Sequence, residues 1–289
     1  MSRNVYITFT GSAYDAVTER VTNTYKQFGA TDLWLYDEPW LIQTGFVEQN
    51  KWLWEHLGIG NLNGGRGYGW FSWKPFIILD ALSRLEPGDQ VLYVDADTYP
   101  IADFRILFDL CRKEGGHLAF MATGTTHAYC NRQWVKRECF QCMGLDEDDY
   151  WHGPHAVARF MVFEKQATLS NGSEPAPFIL RFLHEWQRHC LDHQCQTFDH
   201  DPAIQLPGPY GDGPKFGFRE HRTEQAIYSL LCIWYGRRLY REACQFGAEC
   251  QQDRDKYPQL FFQVGSHGPQ SIIGSRFRNK FPPGGTRNA

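Results

Sequence analysis

The 289-residue sequence has no apolar run near the ~18 residues needed to cross a bilayer. Its start, Met1-Ser2-Arg3-Asn4 followed by only a few apolar residues, lacks the apolar stretch of a signal peptide. Both absences lead to the expectation of a cytoplasmic chain with no transmembrane segment. An excess of one charge is also missing. The 29 Lys and Arg against 33 Asp and Glu leave a net −4, which gives no overall electrostatic reason to bind nucleic acid or membrane. No internal repeat and no linker that would divide the chain is visible. The stretch Gly64-Gly65-Arg66-Gly67-Tyr68-Gly69 has neither G-x-G-x-x-G nor G-x-x-x-x-G-K-[ST] spacing and follows no clear strand, so dinucleotide-binding and P-loop readings fall. What is present is a folded composition: 42% hydrophobic, 16% aromatic and 21% charged residues exclude disorder, collagen and coiled coil.

Nine cysteines are many, but the number is odd and no secretion signal accompanies them, which argues against a full disulfide framework. His127-x2-Cys130 followed by Cys139-x2-Cys142 offers two close-spaced ligand pairs, a set that suits a structural Zn²⁺. Free buried thiols are the alternative. The pairs Cys190/Cys195 and Cys244/Cys250 are weaker metal candidates.

Apolar runs and helical periods alternate along the chain. Val5-Tyr6-Ile7-Thr8-Phe9 reads as a buried strand, and Ala13, Ala16, Val17, Val21, Tyr25 and Phe28 mark one face of a helix. Leu33-Trp34-Leu35-Tyr36 is a second strand. Trp73, Phe76, Ile77, Ala81 and Leu85 form another helix, with Pro75 tolerated in its first turn. The wholly apolar Val91-Leu92-Tyr93-Val94 suits a central strand covered on both faces. Further expectations are helices near 104–113, 178–190 and 220–235, and strands at 118–122, 157–163 and 260–264. This alternation predicts an α/β fold built on an open, mostly parallel sheet flanked by helices, forming one large domain over 1–275 with a basic, mobile tail at 276–289.

In open α/β sheets ligands bind beyond the carboxyl ends of the strands. The apolar run at 91–94 ends in Asp95-Ala96-Asp97, two carboxylates that can share a hard divalent cation, Mg²⁺ or Mn²⁺, and through it a diphosphate. A phosphatase using an aspartyl phosphate would carry its D-x-D on the first strand with Thr or Val two residues on, where this chain has Tyr99.

Three segments then resemble a known group. Gly67-Tyr68-Gly69-Trp70-Phe71-Ser72-Trp73-Lys74-Pro75, Gly88-Asp89-Gln90-Val91-Leu92-Tyr93-Val94-Asp95-Ala96-Asp97 and His221-Arg222-Thr223-Glu224-Gln225 look like the W-K-P, Y-x-D-A-D and H-R-x-[DE]-Q blocks of metal-dependent glycosyltransferases of the GT-A fold. Relatives more often carry Asp at the position of Glu224. The resemblance implies a transferase that moves a sugar from a nucleoside diphosphate, UDP by analogy, to an acceptor hydroxyl, with a nucleotide-sugar part at about 1–125 and an acceptor part at about 126–275. It implies Asp97 and Asp95 as cation ligands, Asp95 also as a ribose contact, and His267 as a third ligand. Lys74 is implied beside the diphosphate. Thr8, Phe9, Gly11, Tyr68, Trp73, Ala96 and Arg222 are implied around the donor, with Trp70 a further aromatic candidate.

The resemblance implies that, for a retaining reaction, Glu224 and Gln225 flank the anomeric carbon. For an inverting one, Glu224 or an acid among Asp146 to Asp149 serves as base. The acceptor is open: a saccharide, a lipid-linked glycan, a small molecule, a protein or a modified nucleic-acid base. A nucleotidyltransferase and a non-catalytic nucleotide or glycan binder are the competing classes.

Overall fold

The computed structural model describes residues 2–10, 15–55, 68–122, 130–167, 177–206, 217–248 and 250–264. The first half of the chain runs β1 (Asn4–Thr10), α1 (Asp15–Thr24), β2 (Asp32–Asp37), α2 (Glu38–Gln43), α3 (Phe46–Gln49), α4 (Trp52–Glu55), α5 (Lys74–Ser83), β3 (Gln90–Val94), β4 (Thr98–Pro100), α6 (Arg105–Lys113) and β5 (His117–Met121). The second half adds α7 (Asn131–Trp134), α8 (Arg137–Cys142), α9 (Asp148–His152), β6 (Ala156–Glu164), α10 (Phe178–Cys190), α11 (His193–Gln196), α12 (Thr223–Trp234), β7 (Leu239–Arg241) and β8 (Phe261–Gln263).

Six strands form one sheet in the order β2-β1-β3-β6-β5-β7. It is mostly parallel, as expected: β1 pairs parallel with β2 and with β3, and β5 with β7, while β6 runs antiparallel to both β3 and β5. The sheet buries both faces because successive side chains alternate. Val5, Ile7, Val91, Tyr93, Met161 and Phe163 face one core, which they share with Ile77 and Ile78 of α5, Trp186 of α10 and Tyr228 of α12. Tyr6, Leu92, Val94, Phe160 and Val162 face the other, packed by Val21 of α1 and Leu107 and Phe108 of α6. Every residue of β3 is buried, which is why Val91 to Val94 are apolar without alternation.

Since β1 and β3 are adjacent and parallel, with Ile7 opposite Tyr93, the ends of both strands emerge on one edge. Beyond β3 the chain turns into β4, which pairs antiparallel with β8 in a separate two-stranded sheet, Thr98 opposite Gln263.

The expected helix at 220–235 begins later, at Thr223, and His221 and Arg222 precede it. The short helices α2 to α4, α7 to α9 and α11, and the strands β4 and β7, were not anticipated. Pieces of three to six residues have little stability of their own and exist through the core they pack on. Gly11, His127, His267 and the tail 276–289 lie outside the described residues. Among the described residues no helix is long and apolar enough to cross a membrane.

Because β3 is the strand that delivers Asp95, its packing governs the site. Leu92→Ala, at a fully buried position, is expected to lower unfolding stability by about 2–5 kcal/mol. In denaturant titration this would appear as a shifted midpoint with an unchanged slope.

Candidate active site

Three segments far apart in sequence meet at one ammonium. Lys74 opens α5, and its side chain is only 3% exposed. Nζ lies 3.0 Å from Asp95 Oδ1, 3.0 Å from Glu224 Oε1 and 3.0 Å from the carbonyl oxygen of Ala158 in β6. An ammonium has three N–H donors, and these three acceptors take them all. Burial works against the charge, but the carboxylates of Asp95 and Glu224 outweigh it, so Lys74 stays protonated well into the alkaline range. Its contacts place it behind Asp95 and Glu224 as the cation that orients them.

The chain is bent to bring these groups together. Ahead of α5, Trp70 (φ 49°) and Phe71 (φ 61°) both occupy the left-handed region, and ahead of Glu224 so does Thr223 (φ 47°). A β-branched or bulky residue there is strained, at about 1–3 kcal/mol each, and persists only where its surroundings enforce it. The enforcing contacts are visible: Trp70 O accepts from Gln196 Nε2 at 2.9 Å, and Trp186 Nε1 donates to Glu224 O at 2.9 Å. Gly69 (φ 54°) precedes them, where a Cβ would come within 2.7 Å of the Trp54 ring.

Glu224 itself is 4% exposed, and Oε2 accepts from Thr223 Oγ1 at 2.8 Å. Burial raises its pKa despite the neighbouring Lys74. His221 holds the start of α12. Buried and neutral, with a pKa pushed down to about 3 chiefly by burial, it donates from Nε2 to Cys195 O at 2.6 Å and accepts at Nδ1 from the Lys136 N–H at 3.3 Å.

Asp95 and Asp97 leave β3 together. Asp95 Oδ1 also accepts from Tyr93 OH at 2.7 Å. Asp97 is 9% exposed; its Oδ1 accepts from Thr98 Oγ1 at 2.9 Å and its Oδ2 from Gln263 Nε2 at 2.8 Å. Those partners are neutral, and among the described residues Asp97 has no ion pair. Burial and then the Asp95 charge raise its pKa. Two hard oxygen donors in partial burial, each with lone pairs to spare, fit a divalent cation. The Val264 N–H donates to Asp97 O at 2.7 Å, so the chain passes the D-x-D three residues before His267.

A half-open cleft of about 160 Å³ adjoins these groups, lined by Gln225, Arg222, Arg159, Glu242, His155 and Trp134, among others. Gln225 and Arg222 were named from sequence; the rest were not. Arg159 is the one cation in the otherwise apolar run of β6, and that was the available signal. Its backbone carbonyl accepts from the Asp95 N–H at 2.8 Å, its guanidinium bonds Gln263 Oε1, and its Nε lies 3.8 Å from Glu242 Oε2. His155 is buried and, with a pKa near 3 from burial, neutral; Nδ1 is 2.9 Å from Asn131 Oδ1, and Nε2 has no hydrogen-bond partner among the described residues.

The remaining candidates are scattered around this centre. Thr8 is buried at the end of β1 with Oγ1 unpaired among the described residues. Phe9 stacks on Trp73 with ring centroids 3.9 Å apart, and Trp70 and Trp73 are core residues, 4% and 3% exposed. Ala96 is half-buried between the two aspartates. Arg222 is exposed, paired with Glu220 at 2.7 Å and lying over the Trp134 ring. The Tyr68 side chain lies outside what is described. Asp146 is held by Arg137 at 3.1 Å and by Trp151 Nε1 at 2.9 Å, which makes it a structural acid.

Removing the ammonium leaves Glu224 buried without its counter-charge. Lys74→Met is expected to destabilise the fold by about 3–5 kcal/mol, and Lys74→Met/Glu224→Gln to regain part of that, both read from denaturant midpoints.

No known family profile matches the chain, and no curated protein sequence does. Solved structures similar to it include the apo form of mouse xyloside xylosyltransferase 1, at 10% identity over 92% of this chain and 98% of that one, TM-score 0.43. A second is the apo WbbM bifunctional glycosyltransferase, at 11% identity over 80% of this chain and 37% of that one, TM-score 0.41. A third is the apo glycosyltransferase GlyE of Streptococcus pneumoniae TIGR4, at 15% identity over 94% of this chain and 57% of that one, TM-score 0.35.

Proposed function

We propose that the chain is a divalent-cation-dependent glycosyltransferase of the GT-A type, moving a sugar from a nucleoside diphosphate, UDP by resemblance, to an acceptor hydroxyl with retention of configuration. The observation that carries this reading is the convergence at Lys74. The three blocks that resemble such enzymes, separated by up to 150 residues (224 − 74), supply Lys74, Asp95 and Glu224, and these meet within 3.0 Å of one nitrogen.

In this reading Asp97 and Asp95, with His267 as a third candidate, hold Mn²⁺ or Mg²⁺, which when bound neutralises charge on the departing diphosphate. The chain's own residues do the rest. Lys74 fixes the Asp95 carboxylate and, with its donors already engaged, acts by positioning. Thr8 and Phe9 at the end of β1, with Gly11, Tyr68 and Ala96, flank the nucleoside; Trp73 supports Phe9 from the core. Arg159 and Arg222 bring positive charge to the cleft where the diphosphate and sugar enter. Gln225 binds sugar hydroxyls from the cleft wall, and the unpaired Nε2 of neutral His155 accepts from another hydroxyl. Glu224, buried off the cleft wall beside Lys74, acts on the cationic sugar through its nearby charge and by fixing Gln225, while the acceptor attacks from the side the diphosphate leaves.

The test needs no acceptor. A panel of nucleotide sugars is screened with Mn²⁺ for thermal stabilisation and for slow hydrolysis to nucleoside diphosphate and free sugar. Asp97→Asn is expected to lose the cation-dependent stabilisation and to lower hydrolysis by about 10²–10³-fold, the scale of removing one charge-stabilising group. Gln225→Ala is expected to keep cation-dependent donor binding while lowering turnover. Release of pyrophosphate in place of nucleoside diphosphate would reassign the site to nucleotidyl transfer, and donor binding with no turnover under any acceptor would make it a binding protein. The anomeric configuration of the product, read by NMR, tests retention.

A further inference from the structure

The thiols that the sequence offers to a metal are regrouped by the fold. Cys139 and Cys142 stand one turn apart on α8, so both project toward α10 and α11. Cys142 Sγ, a ring nitrogen of His189 near the end of α10, and Cys195 Sγ on α11 all lie within 4.8 Å of one another. Cys195 Sγ is 3.5 Å from His189 Nδ1, and Cys139, fully buried one turn before Cys142 on α8, is the next thiol on that face. All nine cysteines are free thiols. Tetrahedral zinc, with Zn–S near 2.3 Å and Zn–N near 2.0 Å, sets its ligands about 3.3–3.8 Å apart, so a small contraction brings Cys142, His189 and Cys195 to that spacing, and the Cys139 thiol must turn toward them to supply the fourth position.

We propose that Cys139, Cys142, His189 and Cys195 bind one zinc ion in a closed structural site. This set differs from the His127, Cys130, Cys139 and Cys142 set expected from sequence. Cys130 instead caps α7 and pairs through its backbone with Pro154, and it is not part of the cluster; His127 lies outside the described residues.

The surroundings suit such a site. Cys139 and Cys195 are fully buried and His189 is 2% exposed, so solvent has little access to a fifth position. Zinc takes the cysteines as thiolates, and the displaced thiol protons pass to solvent.

Three thiolates and Zn²⁺ sum to −1. The buried amine of Lys136, at the N-cap of the helix α8 that carries Cys139 and Cys142, is held by Thr197 O at 2.6 Å, Thr197 Oγ1 at 3.0 Å and Asp199 O at 3.0 Å. Outer contacts orient the ligands. Asp192 Oδ1, 3.4 Å from Cys142 Sγ, accepts from the Cys195 N–H at 3.1 Å. Glu185 Oε2 stands 3.6 Å from His189 Nε2, placed to take its proton once Nδ1 is a ligand. Arg188 Nη2, 2.7 Å from that Nε2, is also 2.6 Å from Glu185 Oε2 and can keep the latter contact. Cys139 Sγ also touches Met143 Sδ at 3.9 Å, a contact that ligation would loosen. The ion would tie α8, α10 and α11 together directly behind the Lys74 centre, since Cys195 O accepts from His221 Nε2 and Gln196 Nε2 donates to Trp70 O. The site stands independently of the sugar-transfer reading.

The test is metal analysis of the full chain purified without chelator from zinc-supplemented culture. One zinc per chain is expected, and cobalt in its place is expected to give a thiolate-to-cobalt charge-transfer band with tetrahedral visible bands. Cys142→Ser, Cys195→Ser and His189→Gln should lose the metal, while Cys130→Ser should retain it. If the ligand variants do not fold, the wild-type metal content and cobalt spectrum decide alone. A wild-type chain with far less than one zinc, full zinc in Cys195→Ser, or a Cys142–Cys195 disulfide in the unreduced protein would each overturn the assignment.

Discussion

The molecule is organised around a buried lysine ammonium that two carboxylates and one strand carbonyl share. A charge that deep survives only if every donor is met, and Lys74 is met from β6, from the end of β3 and from the start of α12. Each partner is thereby fixed against the others. The Asp95 carboxylate cannot swing away from Asp97, Glu224 cannot leave the helix start, and α5 cannot shift along the sheet without breaking an ion pair in low dielectric. The same interaction couples the stability of the fold to the shape of its cleft.

The backbone around that ammonium is held in conformations it would not choose. Trp70, Phe71 and Thr223 all sit at positive φ, and the groups that enforce this are themselves buried: the Gln196 amide, the Trp186 indole and the His221 ring. Strain of this kind concentrates where a structure needs a fixed geometry for chemistry. Here it turns the chain so that Lys74 and Glu224 meet while Gln225, the next residue, is left lining the open cleft. The cysteine and histidine cluster on α8, α10 and α11 supports the same corner from behind through Cys195 and Gln196.

Much of this was legible along the chain. β1, β3, α6, β6 and α10 fall within a residue or two of their periodic patterns, since each buries a continuous or regularly spaced apolar set and the core rewards no other register. The tight pairing of Asp95 and Asp97 with the end of a buried strand could be read in the same way. Arg159 was overlooked although a lone guanidinium inside an apolar strand is itself a signal, and Glu242 and His155 gave none. Glu242 follows a strand of three residues, and His155 precedes β6 in a stretch whose short helices form only because other elements cover them.

Sequence by itself determined the longer strands and helices, that the innermost strand is buried on both faces, and that acids would stand at its end. Those are consequences of local pattern, of one residue's tolerance for water and its neighbours' spacing. Only the tertiary structure decided that Lys74 is spent on Asp95 and Glu224, that Gln225 rather than Glu224 lines the cleft, and that Cys139 and Cys142 turn toward His189 and Cys195. Such choices depend on which buried charge or thiol meets which partner across the core, and the energy of that meeting belongs to the pair and appears in neither stretch of sequence alone.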